Sequence, residues 1–384
     1  MRKPYRQISA DAHLEVSPNR WRDRVPERYR DRAPRTIRLA NGGDAILSEG
    51  NSLLKLHQHN AGFPFEEWGT DHPMTYGQEP GAGPPDQRLR ELDEDGVDAE
   101  ILYPGVAGRG LWTNVAADNA YHAIVRAYNE FIAEEYRSLN PERLIPMGVI
   151  PERTLDKAIE EMEYCAELGL KGVSINRYPA GKSAPTPEDD RFWAAAIDMD
   201  MPVSVHTEFV GLPARARVDR DERGYDLGRR ISTYGVKAAP IAARLAVDGV
   251  FERFPKLLIY FAENQICWLP GFLEQADIMY KRHRYYHERL QGLKPLSRLP
   301  SEYIREHCLW GFMDDPVGVQ LRHHIGVTQV MWSTDFPHDP SDWPRSQDTI
   351  AREFAGVPED EKQLILAGNA IRFFRLGDTY EADN

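Results

Sequence analysis

LIPMGVI at residues 144–150, TLDKAIEEMEYCAEL at 154–168 and GVSI at 172–175 follow one another along the chain. The first and third stretches are apolar runs of strand length, whereas the middle stretch repeats its apolar residues with the 3.6-residue period of a helix. Gly169 stands directly after the helical stretch, where glycine commonly ends a helix. Because two strands joined by a helix pair in parallel, this segment predicts an α/β fold.

The same alternation of strand and helix continues over most of the chain. Eight strand candidates are separated by helical stretches, at 8–12, 99–103, 144–150, 172–175, 202–206, 257–262, 308–312 and 328–333. An eight-membered parallel ring closes on itself and fills its own interior, so this pattern favours a (β/α)8 TIM barrel over an open sheet. Two C-terminal helices follow the last strand.

The segment between strand one and the first barrel helix is the main interruption of this pattern. Residues 14–85 show little periodicity and are rich in glycine, proline and histidine after residue 41. Loops of this length in compact domains are commonly lids or binding loops. We therefore expect residues 1–384 to form a single barrel domain, with an irregular insertion at about 14–85 that covers one end of the fold.

The composition favours small-molecule chemistry. The 384 residues include 47 Lys and Arg against 60 Asp and Glu, which gives a formal net charge of -13 and disfavours nucleic acid as a partner. The sequence shows neither the apolar stretch of a signal peptide nor a run of roughly 18 apolar residues, so no membrane partner is expected. The widely spaced Cys165, Cys267 and Cys308 argue against a disulfide framework and fit a cytoplasmic location.

Polar side chains that can bind a metal follow several predicted strands. The carboxyl ends of barrel strands meet at one face, so these residues are expected to lie together. Side chains alternate along a strand, which places Asp11, His13 and Glu15 on one side of strand one. Four residues that combine two imidazoles with two carboxylates are Asp11, His13, His206 and Asp335. Such a mixture suits zinc, manganese or iron, with an open position for water or substrate.

These residues and several short motifs give the chain a resemblance to a known family. The motifs are Asp11-Ala12-His13, His206, Trp332-Ser333-Thr334-Asp335-Phe336-Pro337-His338 and Gly368-Asn369-Ala370-Ile371-Arg372-Phe373-Phe374. The chain resembles the amidohydrolase-related barrel enzymes of the aminocarboxymuconate semialdehyde decarboxylase type. That resemblance implies one divalent ion, with zinc expected first and manganese or iron as alternatives, held by Asp11, His13, His206 and Asp335. It also implies an enzyme that hydrolyses or decarboxylates a small anionic or aromatic molecule.

One position departs from the family pattern. The decarboxylases carry a Gly-His pair after strand six, whereas this sequence has Ala262-Glu263. Glu263 can act as a general base towards a metal-activated water, which predicts hydrolysis. Alternatively, Glu263 is a ligand of a second metal, which predicts a dinuclear non-haem iron oxygenase on the same fold. A third possibility is a buried ion pair with Arg177.

The remaining candidates have supporting roles. We expect His338 to hydrogen-bond the substrate or to orient Asp335, and Glu15 to support a ligand or complete a second ion. Arg177, just after strand four, is a candidate anchor for a substrate carboxylate. Aromatic residues at 310–312 and 285–286 are expected on the surface, where they would contribute to a homodimer or higher homo-oligomer. A ligand-binding relative without catalytic activity is the remaining alternative.

Overall fold

The computed structural model describes residues 2–55, 60–68, 75–77, 79–105, 110–206, 209 and 235–381, with the backbone alone described at 51–55 and 110. The strands are β1 Arg2–Pro4, β2 Ile8–Leu14, β3 Arg35–Arg38, β4 Asp44–Ser48, β5 Asn51–Lys55, β6 Ala99–Pro104, β7 Leu144–Pro146, β8 Gly148–Val149, β9 Val173–Ile175, β10 Val203–Val205, β11 Ile259–Phe261, β12 Cys308–Phe312, β13 Val330–Trp332 and β14 Thr379–Glu381.

The α-helices alternate with the parallel strands over most of the described sequence. They are α1 Glu27–Arg30, α2 Pro85–Asp95, α3 Gly110–Thr113, α4 Asp118–Ile132, α5 Leu155–Glu167, α6 Asp190–Asp198, α7 Ala239–Val247, α8 Val250–Arg253, α9 Leu269–Gln291, α10 Pro300–His307, α11 Pro316–Gln320, α12 Arg322–Ile325, α13 Ser346–Glu353, α14 Glu359–Gln363 and α15 Asn369–Phe374. A π-helical turn over Leu364–Gly368 joins α14 to α15. No described helix is both long enough and apolar enough to cross a bilayer.

The chain divides into two compact units. Unit 1 contains Met1–Pro151, Glu160–Ser174 and Met331–Asn384, and unit 2 contains Glu152–Ile159 and Ile175–Val330. The expected single domain stays a prediction.

Unit 1 is built on short parallel pairings. β2 pairs in parallel with β6, β6 pairs with β7, and β8 pairs with β9. β1 and β14 form a separate antiparallel pair between the two ends of the chain. Helix α2 ends at Gly96, which adopts φ 71°, and the amide of Val97 donates back to Leu92 O at 3.0 Å.

Unit 2 contains three adjacent parallel strands. β10 pairs with β11 and β11 with β12, so Val205, Phe261 and Trp310 lie side by side. The rings of Phe261 and Trp310 stack with centroids 4.8 Å apart. Trp310 and Phe312 are buried in β12, so the expectation that they lie on the surface is wrong. Every residue of this strand is buried, which leaves no outward aromatic face.

Each predicted barrel strand falls on an observed strand, with one difference at residues 144–150. The prediction of a single strand there is replaced by β7 and β8, which pair with different neighbours. Met147 N still donates to Leu102 O at 2.9 Å, whereas Gly148 N donates to Gly172 O at 2.9 Å. A strand inside a parallel sheet pairs on both sides, and here the two sides are used by successive segments.

Part of the insertion has regular structure, which the sequence analysis did not predict. β3, β4 and β5 form an antiparallel sheet with β4 in the centre. β3 and β4 are joined by a tight turn in which Gly42 adopts φ 88°, a conformation that favours glycine. The prediction of an irregular insertion is therefore wrong for residues 35–55. The apolar run Ala45-Ile46-Leu47, bounded by glycines at 42–43 and at 50, was the signal for a short strand.

Candidate metal centre

The carboxyl end of β2 carries two of the predicted ligands in unit 1. Every residue of Ile8–Leu14 is buried, and Asp11 and His13 are 0% and 2% exposed. The register with β6 shifts by one residue between Ser9 and Ala12, so a β-bulge lies beside Asp11. Bulges occur next to active sites because they redirect a side chain and end the regular ladder.

The segment that follows β13 is bonded directly to β2. Asp335 N donates to Asp11 O at 2.9 Å, and His13 N donates to Phe336 O at 2.8 Å. Asp335 adopts φ 54°, a left-handed conformation that is uncommon for residues other than glycine. Strained backbone of this kind collects at functional sites, where surrounding contacts hold it in place. The two strand ends therefore fix each other and bring three predicted site residues together.

Asp11, His13, Asp335 and His338 present donor atoms to one another. His13 Nε2 lies 3.0 Å from Asp335 Oδ1 and 3.5 Å from Asp11 Oδ1, and His338 Nδ1 lies 3.4 Å from Asp335 Oδ1. One donor atom from each of His13, Asp335 and His338 lies within 4.8 Å of the other two.

The imidazole and the ionised carboxylate of this group suit a cation. His13 Nδ1 lies 2.7 Å from Pro104 O, and since a carbonyl oxygen only accepts, Nδ1 donates this hydrogen bond and Nε2 is the ring nitrogen that faces Asp335. Burial raises the pKa of Asp335, but the contacts with His13 and His338 outweigh burial, hold the pKa below its ordinary range and keep the carboxylate ionised. The imidazole nitrogen and the carboxylate oxygen that face each other at 3.0 Å are both atoms that bind divalent cations. An imidazole fixed by a backbone carbonyl is also typical of metal ligands.

His338 is held by carboxylates on both ring nitrogens. Its Nε2 lies 2.8 Å from Glu15 Oε1, and its ring stacks on His13 with centroids 3.8 Å apart. Burial alone would lower the pKa of His338. The hydrogen bonds with Asp335 and Glu15 raise the pKa by more than burial lowers it, so the pKa of His338 lies well above its ordinary value. A Cβ at Gly105 would come within 2.3 Å of the Glu15 carboxylate, so only glycine leaves room for Glu15.

In unit 2, two further predicted residues follow neighbouring strands. His206 comes directly after β10, and Glu263 comes two residues after β11. His206 Nε2 lies 3.8 Å from Glu263 Oε2, and the two side chains are 13% and 16% exposed. Glu263 adopts φ 53°, which is unusual for a glutamate. The structure therefore places an imidazole and a carboxylate together, with Glu263 in a strained backbone conformation.

The loop after Glu263 is anchored by a carboxylate that the sequence analysis did not single out. Asp315 Oδ2 accepts hydrogen bonds from Ile266 N at 2.6 Å and Cys267 N at 2.8 Å, and Asp315 Oδ1 accepts one from Gly318 N at 2.8 Å. A signal was present, because an aspartate directly before a proline at 316 is typical of a helix N-cap. Its second role, bonding a distant loop, has no sequence signature.

Arg177, the predicted substrate anchor, lies in unit 2 next to an acidic residue. Its Nε is 3.4 Å from Glu152 Oε2, and the Arg177 side chain is 29% exposed. Arg177 therefore pairs with Glu152 rather than with Glu263, the ion pair that the sequence left open as a third possibility.

The amidohydrolase family model matches residues 10–376. The chain belongs to the amidohydrolase family. Among curated proteins, this amidohydrolase is 26% identical over 304 residues to the 2-amino-3-carboxymuconate-6-semialdehyde decarboxylase of Dictyostelium discoideum, which covers 76% of this chain and 77% of the relative. The family prediction made from the sequence is confirmed, as is the prediction that the chain is an enzyme of the hydrolase or carboxy-lyase kind.

Solved structures share the fold of this amidohydrolase. An amidohydrolase from Mycobacterium avium subsp. paratuberculosis has a TM-score of 0.73 at 17% identity, covering 96% of this chain and 99% of that chain. A dihydroxybenzoic acid decarboxylase from Polaromonas, with bound manganese and the inhibitor 2-nitroresorcinol, has a TM-score of 0.61 at 20% identity, covering 96% of both chains. Together with the parallel strands and alternating helices, these likenesses confirm the α/β barrel fold predicted from the sequence.

Proposed function

We propose that this amidohydrolase is a metal-dependent carboxy-lyase that removes carbon dioxide from a small aromatic or unsaturated carboxylic acid. The observation that carries the proposal is the facing pair of donors, His13 Nε2 and Asp335 Oδ1, at 3.0 Å. Support for the reaction comes from two relatives that are described as decarboxylases, one acting on a muconate semialdehyde and one on a dihydroxybenzoic acid.

In this proposal the ion is held by the four residues expected from the sequence, which are Asp11, His13, His206 and Asp335. When bound, the ion supplies Lewis acidity that polarises a substrate oxygen. Zinc is the expectation from the sequence, and manganese is supported by the Polaromonas structure, which contains it. Both ions accept mixed nitrogen and oxygen ligands, so reconstitution with each is the appropriate comparison.

Glu263 is the proposed acid. As the bond to the carboxylate breaks, its electron pair stays on the substrate carbon, carbon dioxide leaves, and a proton from the Glu263 carboxyl forms the new C–H bond. Glu263 occupies the place of the family's histidine, which supports a role in proton transfer. His338 is proposed to orient Asp335, since its two nitrogens lie 2.8 Å from Glu15 Oε1 and 3.4 Å from Asp335 Oδ1. Arg177 is proposed to bind a substrate carboxylate, for which it must exchange its contact with Glu152.

Hydrolysis is the second candidate, and the same residue favours it. A glutamate beside an imidazole, at 3.8 Å in the His206–Glu263 pair, can take a proton from an attacking water. In that case the substrate is an ester, lactone or amide, and no carbon dioxide forms.

Metal reconstitution with product analysis separates these functions. The protein is stripped with a chelator, reloaded with Zn²⁺ or Mn²⁺, and incubated with a panel of hydroxylated benzoic acids and a panel of lactones and esters. The proposal expects about one ion per chain and metal-dependent release of carbon dioxide. Hydrolysis of the second panel alone would establish the second candidate. Two bound irons with oxygen uptake would establish the dinuclear oxygenase, and the absence of any turnover would leave a ligand-binding relative.

We also propose that the protein is a cytoplasmic homo-oligomer. Exposed apolar side chains on α9 support this, with Met279 51%, Tyr285 52%, Tyr286 61% and Leu290 65% exposed. Light scattering checks the assembly, since a monomer at micromolar concentration would disprove it, and cell fractionation checks the location.

A further inference from the structure

Helix α2 of unit 1 carries a buried arginine, Arg88, that the mechanism above does not use. Arg88 and Glu100 of β6 are each 2% exposed, and Arg88 Nε donates to Glu100 Oε2 at 2.6 Å. A buried ion pair of this kind is costly to desolvate and contributes little net stability. Its presence therefore needs a reason other than stability.

The second contact of Arg88 reaches the segment that holds the candidate ligands. Arg88 Nη2 donates to Phe336 O at 3.1 Å, and its guanidinium lies 4.4 Å from the centroid of the Phe336 ring. The same carbonyl oxygen accepts the hydrogen bond from His13 N at 2.8 Å. Phe336 also directly follows Asp335. The Arg88 guanidinium therefore hydrogen-bonds the same Phe336 carbonyl oxygen that accepts from the His13 amide, in the peptide unit that follows Asp335.

We propose that Arg88, itself fixed by Glu100, is a positioning residue that sets the distance between the metal-ligand candidates His13 and Asp335. The inference rests on the proposed function, because it assigns Arg88 a role in shaping that metal centre. The planar fork of arginine bonds two acceptors in a fixed geometry, which lysine cannot reproduce. Groups that orient metal ligands commonly change metal affinity about 10–100-fold when they are altered.

The chain offers a matched control for a role in stability alone. Arg143 of unit 1 is also 2% exposed and binds Asp93 Oδ1 at 2.7 Å and Asp98 O at 2.8 Å. Neither of these two contacts reaches the residues at the carboxyl ends of β2 and β13. Arg143→Met therefore removes a comparable buried guanidinium from a different part of the same unit.

The test compares Arg88→Met, Arg88→Lys, the double variant Arg88→Met with Glu100→Gln, and Arg143→Met with the unaltered chain. The double variant removes the buried charge that the single variant would leave without a partner, so it keeps the test valid if Arg88→Met fails to fold. Two readouts are taken. Hydrogen exchange of peptides covering residues 8–14 and 333–338 is followed in the metal-free protein, and Mn²⁺ affinity is measured by calorimetry.

We expect about tenfold faster exchange at the His13 and Asp335 amides in all Arg88 variants, and Mn²⁺ affinity about 10–100-fold weaker. Arg143→Met should change neither. Unaltered exchange, or an affinity loss no greater than that of Arg143→Met, overturns the inference. Failure of the proposed function gives a different result. If the unaltered chain binds no Mn²⁺, the proposed metal centre is wrong. The hydrogen-exchange measurement on the metal-free protein still tests whether Arg88 positions His13 and Asp335.

Discussion

The polar residues at the ends of β2 and β13 are more deeply buried than those after β10 and β11. In unit 1, Asp11, His13 and Asp335 are at most 2% exposed, and two backbone hydrogen bonds join their segments. In unit 2, the side chains of His206 and Glu263 are 13% and 16% exposed and lie 3.8 Å apart. The first group has the rigidity that a metal ligand set needs, because imprecise ligands lower affinity.

The difference suggests a division of labour. The tightly fixed residues match the family motif, whereas Glu263 is the position that departs from it. A side chain with some exposure can meet substrate and water, which a proton-transfer group must do. In the proposed function, the ends of β2 and β13 would supply the fixed ligands of the ion, and Glu263 would decide which reaction follows.

Loss of a fixed ligand candidate is expected to have the largest effect. In Asp335→Asn the carboxylate charge is lost at constant size, and turnover should fall on the order of 10³-fold, because Lewis acid assistance contributes several kcal/mol. Metal content, measured by mass spectrometry, should fall with it. Asp339→Asn is the control from the same loop, where Asp339 Oδ1 accepts from Asn60 Nδ2 at 2.7 Å. Full metal content in Asp335→Asn would break the comparison.

Glu263→Gln should separate chemistry from metal binding. We expect turnover to fall about 10²-fold or more, since general acid–base groups contribute about 10²–10⁴-fold, while the ion content stays unchanged. The measurement is steady-state kinetics alongside metal analysis of the same sample. Loss of an ion in this variant would show instead that Glu263 is a metal ligand, as the residues after β2 and β13 are proposed to be.

Glu15→Gln should weaken the metal centre without abolishing it. Glu15 accepts from His338 at 2.8 Å, and His338 in turn faces Asp335, so the expected loss of metal affinity is about 10–100-fold. Titration of the stripped protein with Mn²⁺ measures it. Asp44→Asn, which alters a buried carboxylate of the insertion, is the control and should bind Mn²⁺ normally. Equal affinity in both variants would argue against a supporting role for Glu15.

Arg177→Met should affect substrate binding alone. A charge-assisted contact to a carboxylate contributes about 1.5–3 kcal/mol, so KM should rise about tenfold or more while kcat stays nearly constant. Arg191 is the matched control in unit 2, because it forms an exposed ion pair with Asp156 at 2.9 Å. If Arg191→Met raised KM equally, the change would come from the loss of one positive charge on the protein and not from a contact between Arg177 and the substrate.

Asp95 is a buried carboxylate that lies outside the candidate metal centre, and its replacement is expected to give the smallest effect. It tests what burial alone does to a carboxylate. Asp95 accepts from Ser346 N and Oγ at 2.9 Å and 2.6 Å, and burial, which outweighs these bonds, raises the pKa of Asp95 to about 6 from 3.8. The folded state therefore binds this proton more tightly than the unfolded chain, and its contribution to stability is lost as pH rises from about 4 to about 6. The Asp95→Asn variant should not lose stability over this pH range. At pH 7 its free energy of unfolding, measured with denaturant, should exceed that of the unaltered chain by about 1–3 kcal/mol. Parallel pH profiles would contradict this.

The sequence predicted the barrel strands, the clustering of Asp11, His13 and Asp335, and a role for His338 beside Asp335, because periodicity and strand-end position are local signals. The contacts that support them were not predictable. Arg88 lies in a helix with many charged residues, and nothing local separates a buried ion pair from a surface one. The Pro104 carbonyl that fixes His13 is a backbone atom, so its role has no residue signature.

The extra residue in β2 limits how this segment can be recombined with related enzymes. Removing Ala10 would leave Ile8, Ser9 and Ala12–Leu14 opposite their present partners in β6, but it would remove the bulge that sets the direction of the Asp11 side chain. Chimaeras and loop transplants in this family should therefore place their crossover points outside residues 8–14, so that the strand and its bulge are transferred together.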